Sequence, residues 1–152
     1  MSEQLKENRK DLKAMIVMFK AYQSLIEVIK NDIKDTGFDF NEFTVLEVVY
    51  HKKCITVAEI KDKVLVANSS LTYILDKLEN KSLIVRKRSE EDKRIIYVEL
   101  TKEGMLESNK IFPKHYEVLK EIYSVLTEDD KTFIADKLKT LGVISKCLRS
   151  KA

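Results

Sequence analysis

The fold of this chain is decided by residues 68–104, NSSLTYILDKLENKSLIVRKRSEEDKRIIYVELTKEG. From Leu71 to Leu78 the apolar residues follow the i, i+3, i+4, i+7 spacing of an amphipathic helix, which predicts a helix from about Asn68 to Asn80. The period then changes, because apolar and polar residues alternate in Leu83–Arg88 and again in Arg94–Leu100. We therefore expect a helix followed by a two-stranded hairpin whose tip is the polar segment SEEDK.

The face of the predicted helix opposite its apolar stripe is polar and carries little charge. A rotation of about 100° per residue brings the following side chains onto that face or its edges: Ser69, Ser70, Thr72, Tyr73, Asp76, Lys77 and Asn80. Hydroxyl groups can donate hydrogen bonds to base edges and phosphates, and a helix N-terminus attracts phosphate. The hairpin supplies the cations that affinity for nucleic acid needs, and the candidates are Arg86, Arg88, Lys93 and Arg94.

Two capping patterns mark helix starts before this stretch. Asp39 with Glu42, and Thr56 with Glu59, have the spacing of a capping box. Between the two predicted helices we expect a short turn at His51 to Ile55.

The order of elements from Phe43 to Leu100 is typical of a winged helix-turn-helix. In that arrangement a short helix supports a second helix in the major groove, while the hairpin reaches along the backbone or into the minor groove. After the hairpin, Thr101 is a candidate helix cap, and Gly104 is expected to permit close packing.

Apolar stripes at both ends of the chain predict dimerisation. From residue 5 to residue 33 apolar residues recur every seven positions, with others three residues later, which is an a/d heptad pattern. A helix of this length, about 45 Å at 1.5 Å per residue, has more apolar stripe than a small domain can cover. A long helix packed within its own monomer is the alternative. The candidate dimer contacts are Leu5, Leu12, Phe19, Ile26, Ile134, Leu138, Leu141 and Leu148.

The composition of the chain favours one mainly helical folding unit. Its 152 residues contain three Gly, one Pro and no Trp, and 44% of them are hydrophobic. The net charge of +3 does not by itself imply a nucleic-acid partner. No apolar run is long enough to span a bilayer, and charges interleave the start too densely for a signal peptide, so we expect a cytoplasmic protein without membrane contact.

The cysteines and histidines predict neither a metal site nor a catalytic one. His51 and Cys54 have an H-x-x-C spacing, but His115 is the only other histidine, so an exposed histidine ending a helix is favoured. Lys52 and Lys53 could lower the pKa of Cys54, although a small apolar role at the edge of a strand or helix is favoured. Cys147 is a candidate for an intersubunit disulfide under oxidation. With no phosphate-binding glycine loop and no nucleophile elbow, we expect a non-enzyme without a cofactor.

The stretch from Asn68 to Gly104 resembles the MarR (multiple antibiotic resistance regulator) family of bacterial transcription factors. That family typically shows a Ser/Thr-rich start of the recognition helix, an L-x-x-L-E-x-x-x-L-(I/V)-x-R segment, a D-x-R wing tip and an L-T-x-x-G exit, all of which have counterparts here. The heptad helix before this stretch and the helices after it fit the same dimer plan.

The resemblance implies roles for residues of the wing. In the family, the wing Asp orients the wing Arg, which enters the minor groove, and these residues match Asp92 and Arg94. Asp76 matches a position that commonly holds Asp, and we expect it to be paired with Arg86 or Arg88, because phosphate would otherwise repel it.

The resemblance also implies the base-reading positions, which match Ser69, Ser70, Thr72 and Tyr73. Tyr73 departs from the family's frequent Arg and cannot make the bidentate guanine contact that Arg makes. Many members are released from DNA by small phenolic or other anionic compounds bound between the dimer helices and the DNA-binding lobe. Others sense oxidants through a cysteine in the first helix, but the first cysteine of this chain is Cys54.

We therefore expect a mainly α fold with a small β-hairpin wing, organised as one domain over residues 1–152. Dimerisation helices are expected at 5–34 and 105–148, and a winged helix-turn-helix lobe at 40–101. The predicted function is a homodimeric regulator, a repressor of a small regulon, that binds a pseudo-palindromic duplex and responds to a small anionic or aromatic effector. The alternatives are a redox- or metal-responsive regulator on the same fold and a winged-helix module that binds protein. The candidate DNA contacts are Ser69, Ser70, Thr72, Tyr73, Lys77, Arg86, Arg88, Asp92, Lys93 and Arg94.

Overall fold

The computed structural model describes residues 3–64 and 68–149, with side chains described for 9–64 and 70–149. Helices dominate, and a small antiparallel sheet forms the wing, so the predicted mainly α fold with a β wing is confirmed. In chain order the elements are α1 (Glu3–Ile33), α2 (Phe40–Lys52), β1 (Cys54–Thr56), α3 (Val57–Lys63), α4 (Asn68–Asn80), β2 (Ile84–Arg88), β3 (Ile96–Leu100), α5 (Lys102–Tyr123) and α6 (Glu128–Arg149).

The sheet has the strand order β1-β3-β2, and both of its pairings are antiparallel. The predicted hairpin is β2 and β3, with Ile84 opposite Leu100 and Arg88 opposite Ile96. The prediction of a turn at His51–Ile55 is wrong, because α2 continues to Lys52 and residues 54–56 form β1. Ile55 is buried and lies opposite Val98 of β3. Residues 54–56 are therefore an edge strand because they pair with β3, which is far away in the sequence.

The core of the winged lobe is formed by the apolar stripe predicted for α4 and the buried faces of its neighbours. Leu71, Ile74, Leu75 and Leu78 are all buried, as their helical spacing predicts. They share the core with buried residues of the other elements, which are Phe43, Val45, Leu46 and Val49 in α2, Ile60 in α3, Ile84 in β2 and Val98 in β3. The elements of the lobe are therefore held against one another by apolar packing.

Local hydrogen bonds start three of the helices where the sequence predicts them. The side chains of Asp39 and Thr56 accept bonds from backbone amides of the first turn of α2 and α3, and both capping boxes are complete. Thr101 Oγ1 accepts from the amide of Gly104 at 2.9 Å and donates to the carbonyl of Ser82 at 2.6 Å. Thr101 therefore caps α5 and ties it to the segment before β2.

The chain divides into two compact units, Met1–His115 and Tyr116–Ala152. The first unit contains α1 and the winged lobe, and the second contains α6. None of the residues of α6, all of which the structure describes, is buried. Within the described ranges, no helix is long and apolar enough to cross a membrane.

Candidate nucleic-acid interface

Helix α4, the recognition helix, turns its polar face away from the core. Thr72 and Tyr73 are exposed, with 65% of Tyr73 accessible, and Ser70 is half-buried. Ser69 belongs to the same helix, but its side chain lies outside the described residues. The face formed by Ser70, Thr72 and Tyr73, here called the reading face, therefore offers hydroxyl groups and one aromatic ring.

The wing, which consists of β2, β3 and residues 89–95 between them, ends in a hydrogen-bonded turn. The amide of Ser89 donates to the carbonyl of Ile95, and the amide of Ile95 donates to the carbonyl of Asp92, each at 2.9 Å. Arg94 follows Asp92 by two residues and binds it through both guanidinium and backbone groups. Its Nε donates to Oδ1 at 3.0 Å and its Nη2 to Oδ2 at 2.9 Å, while the Arg94 amide also donates to Oδ1 at 3.0 Å. These bonds, first of all those from the guanidinium, lower the pKa of Asp92.

Although Arg94 is bound in this way, 91% of its side chain remains exposed. The predicted orientation of Arg94 by Asp92 is therefore present in the geometry. Arg88 and Lys93 are also exposed on the wing.

Arg86 joins the wing to the recognition helix. Its Nη2 lies 2.7 Å from Oδ1 of Asp76 and also pairs with Glu79 Oε2, to which its Nε donates at 3.0 Å. The prediction that Asp76 pairs with a basic residue of the wing is confirmed, and the partner is Arg86. The Arg86 side-chain bond is the main cause of the lowered pKa of Glu79. Sequence reasoning gave Glu79 no role, although it matches the Glu of the L-x-x-L-E-x-x-x-L-(I/V)-x-R segment that resembles the MarR family.

Lys77 reaches from the edge of the exposed face of α4 towards the start of α2. Its Nζ lies 3.1 Å from Asp39 Oδ2 and 3.2 Å from Glu42 Oε1. Lys81, just after the helix, also binds Glu42 Oε1, at 2.9 Å. These contacts join residues that are 35 or more positions apart in the chain. The only indication of them in the sequence was the positive charge of the two lysines.

The predicted dimer residues are, with two exceptions, exposed in the single chain. Ile26 is half-buried, and the side chain of Leu5 lies outside the described residues. The exposed ones are Leu12, Phe19, Ile134, Leu138, Leu141 and Leu148.

Cys54 lies on β1 beside Glu99. Partial desolvation and a hydrogen bond to the Glu99 carboxylate raise the pKa of the Cys54 thiol. The suggestion that Lys52 and Lys53 lower it is therefore wrong, because the carboxylate across the sheet is the stronger neighbour. Among the described residues, no group of three or more His, Cys, Asp or Glu side chains is arranged to hold a metal ion. His51 is exposed near the end of α2, as predicted.

The structure combines a short helix α3, a recognition helix α4 packed on α2, and a wing whose Arg94 is bound by Asp92. This combination defines the class of winged helix-turn-helix DNA-binding regulators. The model of the MarR family matches residues 40–96. The chain is 38% identical to the HTH-type transcriptional regulator MhqR of Bacillus subtilis (strain 168) over 142 residues, covering 93% of this chain and 98% of MhqR. The chain belongs to the MarR family and is a DNA-binding transcriptional regulator, not an enzyme.

Solved structures share the fold. A mutant of MarR from E. coli, solved in complex with operator DNA, matches with a TM-score of 0.71 and 22% identity over 87% of this chain and 95% of that one. NadR, solved in complex with 4-hydroxyphenylacetate, matches with a TM-score of 0.74 and 21% identity over 83% of this chain and 89% of that one. At these identities the likeness concerns the fold alone.

Proposed function

We propose that this protein is a homodimeric repressor of a small regulon that acts in the cytoplasm on a pseudo-palindromic duplex site. Each recognition helix lies in a major groove, and each wing inserts Arg94 into the neighbouring minor groove. The observation that carries the proposal is the Asp92–Arg94 pair, in which a guanidinium is oriented by two carboxylate bonds and yet 91% exposed. A wing built to bind a protein surface would more often carry an apolar tip.

The proposed DNA contacts of the recognition helix and of the wing differ in their chemistry. Ser69, Ser70 and Thr72 donate to base edges or phosphates, and Tyr73 stacks on sugar or donates one hydrogen bond. Arg88 and Lys93 neutralise phosphates, which makes affinity depend steeply on salt. Arg86 contributes differently, because Asp76 and Glu79 already occupy its guanidinium. Its role is to hold the wing against the helix.

The homodimer is supported by the apolar side chains that the single chain leaves uncovered. Phe19 in α1 is 58% exposed, and Leu141 in α6 is 53% exposed. Large apolar residues repeated at heptad spacing are typical of helices that pack on a second chain. Two-fold symmetry then places the half-sites about one turn, roughly 34 Å, apart on the duplex.

Release by a small anionic or aromatic effector is supported by a cleft between the end of α1 and α5. It has a volume of about 290 Å³, and its lining includes Ile33 with Lys110 and Lys114. Between the two helices, Nδ1 of His115 in α5 lies 2.7 Å from Oδ2 of Asp32 in α1.

The lining of this cleft also carries Asp35 and Glu107, and Glu107 Oε2 pairs with Nζ of Lys110 at 2.9 Å. Lys114 beside apolar Ile33 is therefore the group that would meet the carboxylate of an aromatic acid. NadR, which has the same fold, was solved with such a compound, 4-hydroxyphenylacetate.

The test is a selection of bound genomic fragments followed by mobility shifts on the strongest fragment and on a scrambled duplex. We expect preferential binding of the selected fragment, a footprint of two half-sites about one turn apart, and an affinity that falls steeply with salt. Binding that does not discriminate between the two duplexes, or that is insensitive to salt, would contradict the proposal.

A further inference from the structure

We infer that Glu42 is a positioning residue for the recognition helix and that Lys77 acts through Glu42 instead of contacting DNA. The inference rests on the proposed function and deepens it, since it separates the residue that aligns the helix from the residues that touch the duplex. Glu42 lies in the first turn of α2, and only 2% of its side chain is exposed.

The carboxylate of Glu42 binds groups from two helices at once. Its Oε2 accepts from the amide of Asp39 at 2.9 Å, which completes the cap of α2. Its Oε1 lies 3.2 Å from Nζ of Lys77 and 2.9 Å from Nζ of Lys81. A buried charge is tolerated only when it is paired and hydrogen-bonded, and here the Asp39 amide and the two lysines supply those partners.

Lys77 is the only basic residue of α4, and its ammonium group pairs with carboxylates of the same chain. Its ammonium binds Asp39 as well as Glu42, and these two carboxylates raise its pKa. The same Nζ lies 5.6 Å from the ring centroid of Tyr73, one turn earlier on the reading face. A displaced Lys77 would therefore disturb a side chain that is placed to meet the bases.

Lys81 extends the same network to the turn between α1 and α2. Its Nζ donates to the carbonyl of Gly37 at 3.1 Å and lies 4.8 Å from the ring centroid of Phe38. The end of the recognition helix is thus tied both to the start of α2 and to the turn before it. Together with Arg86, which binds Asp76 and Glu79 from the wing side, the network determines how the helix is presented to DNA.

The experiment compares Glu42→Gln, Lys77→Met and the double variant with the wild type. Gln keeps an oxygen for the cap of α2 but removes the charge that holds the lysines, and Met keeps the apolar length of Lys77 without its charge. Glu59→Gln is the matched control, because Glu59 completes the capping box of α3 through Thr56 and is exposed. Affinity is measured on the selected fragment and on a scrambled duplex over a series of salt concentrations.

We expect Glu42→Gln and Lys77→Met each to weaken binding of the selected fragment by about ten-fold, comparable to the loss of one base contact. Binding of the scrambled duplex should change little, since misaligned helices still meet phosphates. The salt dependence of Lys77→Met should match that of the wild type, and the double variant should lose no more than the worse single variant. Glu59→Gln should bind as the wild type does.

Two results would overturn the inference. If Lys77 contacts phosphate, Lys77→Met weakens both duplexes alike and reduces the slope of log affinity against log salt by about 0.9 per subunit. If Glu42 only stabilises the fold, Glu42→Gln binds the selected fragment like the wild type at a temperature where circular dichroism shows that the variant is folded. Should Glu42→Gln fail to fold, Lys77→Met and Lys81→Met, both at half-exposed side chains, decide the question. A wild-type protein that binds no fragment selectively would instead refute the proposed function.

Discussion

Asp92 holds Arg94 at the tip of the wing through hydrogen bonds of 3.0 Å and 2.9 Å to the guanidinium, while 91% of the Arg94 side chain stays exposed. An exposed ion pair of this kind adds little to stability, because water screens it and two side chains lose freedom. We propose that its value lies in orientation, since an arginine held near its bound geometry loses less conformational entropy on entering a groove. The pair is therefore best explained by binding.

Substitutions of Asp92 and Arg94 should distinguish the contact that Arg94 makes with DNA from the orientation that Asp92 gives to Arg94. We expect Arg94→Ala to weaken binding of the selected DNA fragment by at least about ten-fold, as one contact is worth roughly 1–3 kcal/mol per half-site. Asp92→Asn should have a smaller effect, because the arginine remains but is held less firmly. Fluorescence anisotropy with labelled duplex measures both, with Glu91→Gln at the exposed wing tip as a control. Unchanged binding by Arg94→Ala would refute the assignment of the wing.

Gly104 is required by the close approach of α5 to the segment before β2. A Cβ at this position would lie 1.9 Å from the carbonyl oxygen of Leu83, a backbone atom that cannot move aside. We expect Gly104→Ala to lower the free energy of unfolding by about 2–4 kcal/mol or to prevent folding. Chemical denaturation at one fixed protein concentration measures the change.

Gly142→Ala is the matched control for Gly104→Ala. It lies in α6, and a Cβ there would meet no atom within 4 Å. Because Ala is a better helix former, Gly142→Ala should raise stability by up to about 1 kcal/mol. Equal effects of the two substitutions would show that the contact with Leu83 is not what selects glycine.

Acid should weaken the lobe through Asp39 and Glu42. Burial raises the pKa of each carboxyl, but bonds from backbone amides and from Lys77 and Lys81 outweigh it and hold both pKa values below their usual range. A carboxylate with a lowered pKa in the folded state stabilises the fold above its unfolded-state pKa and loses that contribution as the pH falls through the folded-state value. We therefore expect the free energy of unfolding to decrease as the pH falls below 4.5.

Urea denaturation over a pH series tests this dependence, with Glu42→Gln as the informative variant. Its stability should fall less steeply with acid than that of the wild type, because one linked carboxyl is gone. Glu91→Gln, which removes a carboxyl from the exposed wing tip instead, is the control. The same acid dependence in Glu42→Gln and the wild type would argue against the linkage.

The apolar faces of α1 and α6 should mediate dimerisation. We expect Phe19→Glu and Leu141→Glu to shift the protein towards monomer and to reduce DNA affinity, since a charge at a packed heptad position must be buried unpaired. Val17→Glu is the control, because Val17 is 56% exposed on the same helix but lies off the a/d positions. Sedimentation velocity gives the masses, and a wild type that sediments as a monomer would refute the prediction.

Local features of this protein were predictable because their causes lie within a few residues. The capping boxes at Asp39 and Thr56 join groups three residues apart, and the stripe of α4 follows from helical spacing alone. The wing was predictable for the same reason, since alternation on both sides of a polar turn specifies a hairpin. The Asp92–Arg94 pair also spans only two residues, but it was the resemblance to the MarR family that implied it.

Only the tertiary structure decided what depends on groups far apart in the chain. Residues 54–56 carry too little pattern to predict β1, which exists because β3 supplies the partner strand. Lys77 is a predicted DNA contact, and only packing brings it to Glu42, 35 positions earlier, whose carboxylate is buried. Sequence periodicity therefore determined which face of each helix is polar, and packing decided which polar groups on that face are paired within the protein and which are left exposed.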